Sequence, residues 1–99
     1  MVRHVIVWKI KDEFAADAAK IKAGVKENLE GLAGRIPGMI DIKVITEGLA
    51  SSNGDLMLDA SYEDEASLKG YSVHPEHVKV ADTYVRPYMQ TRMCFDYEK

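Results

Sequence analysis

One cysteine, one tryptophan, two phenylalanines and three prolines are all that this 99-residue chain offers of those residue types. A single cysteine, Cys94, cannot close an internal disulfide, so a reducing, cytoplasmic setting is expected. Long apolar runs are missing. None approaches the roughly 20 residues that span a bilayer, so no membrane partner is expected, and the start carries no basic, apolar and small-residue leader. Positive charge is in the minority: 13 Lys and Arg against 16 Asp and Glu give a net charge of −3, without the basic footprint of a nucleic-acid binder. A phosphate-binding glycine loop and a cluster of metal ligands are also wanting, so no cofactor is expected from motifs. No repeat, low-complexity tract or linker divides the chain, and residues 1–99 read as one domain with a modest core.

What the chain does have is a concentration of titratable side chains. Tyr71-Ser-Val-His74-Pro75-Glu-His77 holds a phenol and two of the three histidines around a proline that fixes the backbone. Histidine titrates near neutral pH, and tyrosine can donate or accept beside it.

Hydrophobic periodicity places this segment in an ordered fold. Arg3 to Ile10 is β-branched and aromatic and reads as a strand, with His4, Ile6, Trp8 and Ile10 on one face and Val5, Val7 and Lys9 on the other. Asp12 is a candidate N-cap, and Phe14, Ala18, Ile21, Val25, Leu29, Leu32 and Ile36 form the stripe of an amphipathic helix of about six turns. Pro37-Gly38 ends it. Met39 to Thr46 and Asp55 to Tyr62 alternate as strands around a loop marked by Ser51-Ser52-Asn53-Gly54. Asp64 to Tyr71 is a short helix. Proline at position 75 disfavours a helical His74 and suits the first position of a new helix, so the chain breaks at His74 and restarts as Pro75 to Tyr84. Tyr88 to Tyr97 is the last strand, with Arg92 and Cys94 on one of its faces.

The order β-α-β-β-α-β predicts an α+β, ferredoxin-like fold with a four-stranded antiparallel sheet. Both helices then cover one face. The other face, expected to carry Ile, Leu and Trp, needs a partner, and a second copy on a two-fold axis is the cheapest one. Two such sheets meeting face to face would enclose a barrel-like interior.

Several stretches resemble the stress-responsive A/B barrel domain family: His4-Val-Ile-Val-Trp8-Lys-Ile-Lys11, Ile36-Pro-Gly-Met39, Tyr71…His74-Pro-Glu-His77 and Phe95-Asp-Tyr97. Together they span essentially the whole chain. The resemblance implies a dimeric α/β barrel, since members include plant stress proteins and a polyketide cyclase of that form. It implies catalytic roles for Tyr71 and His77, and a pocket position for His4. Leu56 falls at a pocket position where the cyclase has a histidine. That departure, with Arg92 and Cys94 where the cyclase pocket is apolar, implies a different substrate. A Mg-type cation on the main-chain carbonyls of Ala33, Ile36 and Met39 is implied as well.

These residue types fit acid–base chemistry at a carbonyl. A neutral His77 can take a proton α to a carbonyl, and Tyr71 can donate to the enolate oxygen or fix His77. Trp8 reads as pocket lining or dimer core. Arg92, if it points into an enclosed cavity, calls for an anion such as a substrate carboxylate; facing solvent, it is an ordinary charge. His74 serves the helix break, and Cys94 reads as an inert small hydrophobe. Two classes of function stand open. One is a small-molecule enzyme of cyclase or lyase type working on a partly apolar ligand in the barrel interior. The other is a non-catalytic, stress-protective homodimer. A monooxygenase-like role is a weaker third.

Overall fold

Alternation of apolar and polar side chains sets the sheet. In the computed structural model, which describes residues 1–99, β1 (Val2–Ile10) buries every second side chain from Val2 to Ile10. β3 (Leu56–Tyr62) likewise buries Leu56, Leu58, Ala60 and Tyr62, and β2 (Met39–Ile45) buries Ile42 and Val44. β4 (Met89–Glu98) is the last strand. The sheet is antiparallel throughout, in the order β2-β3-β1-β4. That is the ferredoxin-like arrangement expected from the element order.

The apolar stripe Ile21, Val25 and Leu29 of α1 (Ala18–Glu30) packs on this sheet, and Leu32 and Ile36 extend the contact beyond the helix end. The helix is shorter than its periodicity suggested. Asp12–Asp17 forms a 3-10 helix, and Asp12 lies inside it rather than capping it. After Gly31 the chain continues in turns, and Gly34 and Gly38 adopt φ of 81° and 79°, which only glycine reaches without strain. At Gly38 a Cβ would lie 2.1 Å from Ser67 Oγ, so the close approach of this turn to the next helix also demands glycine. The Glu30 carboxylate accepts from the Val44 N–H at 2.8 Å and from Lys26 Nζ at 2.8 Å, which ties α1 to β2.

α2 (Glu65–Val73) starts at Asp64, whose carboxylate accepts from the Ser67 N–H at 2.8 Å. α3 (Pro75–Val80) follows after one extended residue, His74, whose Nδ1 accepts from the Glu76 N–H at 3.2 Å. The predicted break at His74 is thus a capping geometry. α3 then loosens into a π-type turn, Ala81–Val85, and a 3-10 turn, Arg86–Tyr88. No helix is long and apolar enough to cross a membrane.

The face left open differs from the sequence expectation. The side carrying Ile6, Trp8, Leu56 and Leu58 is the one the helices cover. The opposite side follows from the register, in which Val5 pairs with Phe95 and Val7 with Met93 and Met57. Met93 and Phe95 are 71% and 72% exposed there. Both faces of β1 are apolar, so alternation alone does not say which one meets the helices.

Leu58 is 1% exposed at the centre of this packing. Leu58→Ala is expected to cost about 2–5 kcal/mol through lost burial and the cavity left behind. In a domain of this size that lowers the melting temperature by more than about 8 °C. Thermal unfolding followed by circular dichroism measures it; an unchanged midpoint would contradict the core described here.

Candidate active site

The break between α2 and α3 sets Tyr71 and His77 side by side. Tyr71 lies on the last full turn of α2, and His77 lies in the first turn of α3. Their rings are 4.0 Å apart between centroids with planes tilted by 35°. A cavity of about 220 Å³ opens beside them, between the helices and the β1–β4 half of the sheet. Its floor is His4, Ile6 and Trp8 from β1 with Leu58 from β3. Arg92 at the start of β4, opposite Trp8 in register, lines it near the surface.

The protonation states follow from the surroundings. Tyr71 is 2% exposed, and burial pushes its phenol up to about 12 against the smaller opposing influence of Tyr62 and Arg92. It is therefore a donor at neutral pH. Burial holds the His77 imidazole below its ordinary value, with the positive charges of Arg86 and Arg92 adding to the effect. His77 Nδ1 lies 3.4 Å from the Ser72 carbonyl, which can only accept. The neutral ring therefore carries its proton on Nδ1 and leaves Nε2 as the basic atom.

His4 is buried at 5% exposure, its ring edge-on to Tyr71 at 6.0 Å and to Tyr62 at 6.2 Å. Its Nδ1 donates to Asp96 Oδ1 at 2.5 Å. Asp96 had no signal in the sequence, because its pairing with His4 arises only from strand register. Burial and Asp96 hold the Cys94 thiol up, and its S–H donates to Asp96 Oδ1 at 3.3 Å. The cysteine is therefore a weak nucleophile. Tyr62 was likewise not singled out from sequence; its hydroxyl is buried and burial raises it strongly.

The chain thus brings His4, Trp8, Tyr71, His77 and Arg92 to one cavity. It does not bring Leu56 there. Leu56 lies at the far end of β3, packed in the core beside the loop ending at Asp55, and Leu58 takes the cavity position on the same face. The cavity itself lies within one chain, under the helices, and not in a chamber between two sheets. The sheet side that carries His4 and Trp8 is the helix-covered one, which explains the difference. The carbonyls of Ala33, Ile36 and Met39 belong to the segment leading from α1 into β2, and the Ile36 carbonyl accepts from the Met39 N–H at 3.2 Å. A Mg-type cation held on these three carbonyls would take the rest of its oxygen shell from water.

A family model of the stress responsive A/B barrel domain matches residues 2–99. The chain belongs to that family. It is 28% identical over 99 residues to olivetolic acid cyclase of Cannabis sativa, covering 97% of this chain and 94% of that protein. It is also 28% identical over 102 residues to a stress-response A/B barrel domain-containing protein of Arabidopsis thaliana, covering 98% of this chain but only 36% of that longer protein. In structure it matches a dimeric protein of unknown function and ferredoxin-like fold from Bacteroides fragilis, with a TM-score of 0.90 and 24% identity over 99% of this chain and 95% of that one. That likeness fixes the fold.

Proposed function

We propose that this A/B barrel protein binds a small, partly apolar carbonyl compound in the cavity beside Tyr71 and His77 and moves a proton on it. The supporting observation is the adjoining Tyr71–His77 pair, one member a protonated phenol and the other a neutral imidazole, on the wall of one cavity. In the proposed step, His77 Nε2 takes a proton from the carbon α to the carbonyl. Tyr71 O–H donates to the enolate oxygen that forms. If a second carbonyl lies in the same ligand, the carbanion attacks it, a C–C bond forms, and the new alkoxide takes the proton back from His77. The Asp96–His4 pair braces the cavity floor. Trp8 and Leu58 supply apolar contact.

Under this reading the sheet face of Val5, Val7, Met57, Met93 and Phe95 is closed by a second copy, giving a homodimer. A non-catalytic, stress-protective homodimer is the second reading, and the exposure of Met93 and Phe95 favours it equally.

The pH dependence tests the chemistry. The rate at which the protein exchanges α protons of phenylacetone for deuterium is followed by NMR in D2O. The base must be neutral, so the rate falls as pH drops through the His77 value, with a midpoint below 6.5. The same shift acts on stability. The unfolded chain takes up a proton near 6.5 that the folded chain refuses, so this contribution is present above 6.5 and is lost as pH falls toward the folded value. A rate that rises toward acid pH would sink the role given to His77.

A further inference from the structure

The cavity meets one positive charge that no carboxylate pairs, Arg92, although the chain is acidic. Of its 15 lining residues, two are arginines, two are histidines and none is Asp or Glu, in a protein of net charge −3. The two arginines are not equivalent. Arg86 is paired with Asp82 one turn back on its own segment. Arg92 forms no salt bridge. The nearby carboxylate, Asp96, is taken by His4 and Cys94. The Arg92 charge nonetheless reaches the reacting pair, since it pulls the Tyr71 phenol down and disfavours a charged His77. An exposed guanidinium in no salt bridge, with donors to spare beyond its contact with Cys94, at the rim of a partly apolar cavity of about 220 Å³, has the form of an anion anchor.

We propose that the ligand is an organic anion, an apolar body carrying one acidic group, and that Arg92 holds that group at the cavity rim while the body lies against Trp8 and Leu58. This deepens the functional reading above and rests on the cavity being the ligand site. Arg86 adds positive potential without being released from Asp82. The guanidinium fork donates to two oxygens of a carboxylate or of a phosphate, so either acid meets the same chemistry. An acid group fixed at the rim also sets the depth at which the rest of the molecule meets His77.

Trp8 is the sole tryptophan and lines the cavity, so its fluorescence reports occupancy directly. The chain is titrated with phenylacetate, methyl phenylacetate and benzyl phosphate, as wild type, Arg92→Gln and Arg92→Lys. The acid is expected to bind wild type more tightly than the ester. Arg92→Gln is expected to weaken phenylacetate by about tenfold or more, as for loss of a charge-assisted hydrogen bond. It leaves the ester unchanged, which also shows that the variant is folded. Arg92→Lys restores part of the loss. Tighter binding of benzyl phosphate with the same Arg92 dependence assigns the acid as a phosphate. Acid and ester binding wild type equally, or weakened equally by Arg92→Gln, overturns the anion proposal and leaves the proton-transfer reading standing. Failure of all three ligands to bind wild type overturns both.

Discussion

His77→Ala slows the protein-dependent exchange of α protons by a hundred- to ten-thousand-fold, the contribution typical of a positioned general base. The size follows from what is lost. The imidazole is the one basic atom at the cavity wall that is neutral near pH 7 and oriented by a backbone acceptor, the Ser72 carbonyl. His4 also has its Nδ1–H donated, to Asp96, but its ring is edge-on to Tyr71 at 6.0 Å, whereas the His77 ring lies 4.0 Å from it, so only His77 shares a reacting position with the phenol. Tyr71→Phe keeps the ring and removes the donor. Its loss is therefore expected in the rate, while binding of a neutral ligand is retained. Exchange rates measured by NMR for both variants check this. If both match wild type, Tyr71 and His77 are packing residues, and the second reading of the protein gains.

Under the homodimer reading, glutamates at two positions of the open sheet face are expected to convert a dimer to a monomer. Met93 and Phe95 are among the most exposed large apolar side chains, and they sit on adjacent outward positions of β4 opposite Val7 and Val5. Burying each contributes about 1.5–3 kcal/mol at most, and a two-fold axis counts every contact twice. Met93→Glu with Phe95→Glu removes that gain and sets like charges against each other across the axis. The dissociation constant rises by more than about a thousandfold. Light scattering reads the result, with a mass near 11.1 kDa for the variant and twice that for wild type. A wild-type chain that scatters as a monomer would remove the homodimer from both readings.

How far the sequence carried these conclusions depended on the kind of signal. Strand alternation and the helix stripe are local, and they located every strand and the long helix. The break at His74 was also local, since proline restricts its predecessor wherever the two occur. Two features were not local. Both faces of β1 are apolar, so only packing against α1 decides that Trp8 turns inward, and the cavity moves with it. Asp96 meets His4 because β4 pairs with β1 in one register, and no spacing in the chain encodes contact between residues 92 apart. Leu56 shares the helix-covered face with Leu58, but this cavity is lined one step further along the strand, at Leu58. The 3-10 start of the first helix was hidden because Phe14 and Ala18 continue the stripe in either geometry.

That one polypeptide supplies Tyr71, His77, His4 and Arg92 to the same cavity has a consequence for any assembly built from it. Each subunit would carry a complete set of reacting groups, so saturation curves should be hyperbolic unless motion is transmitted across the sheets. A mixed pair, one subunit intact and one bearing Ala at position 77, should then keep half of the turnover, with neither subunit rescuing or silencing the other.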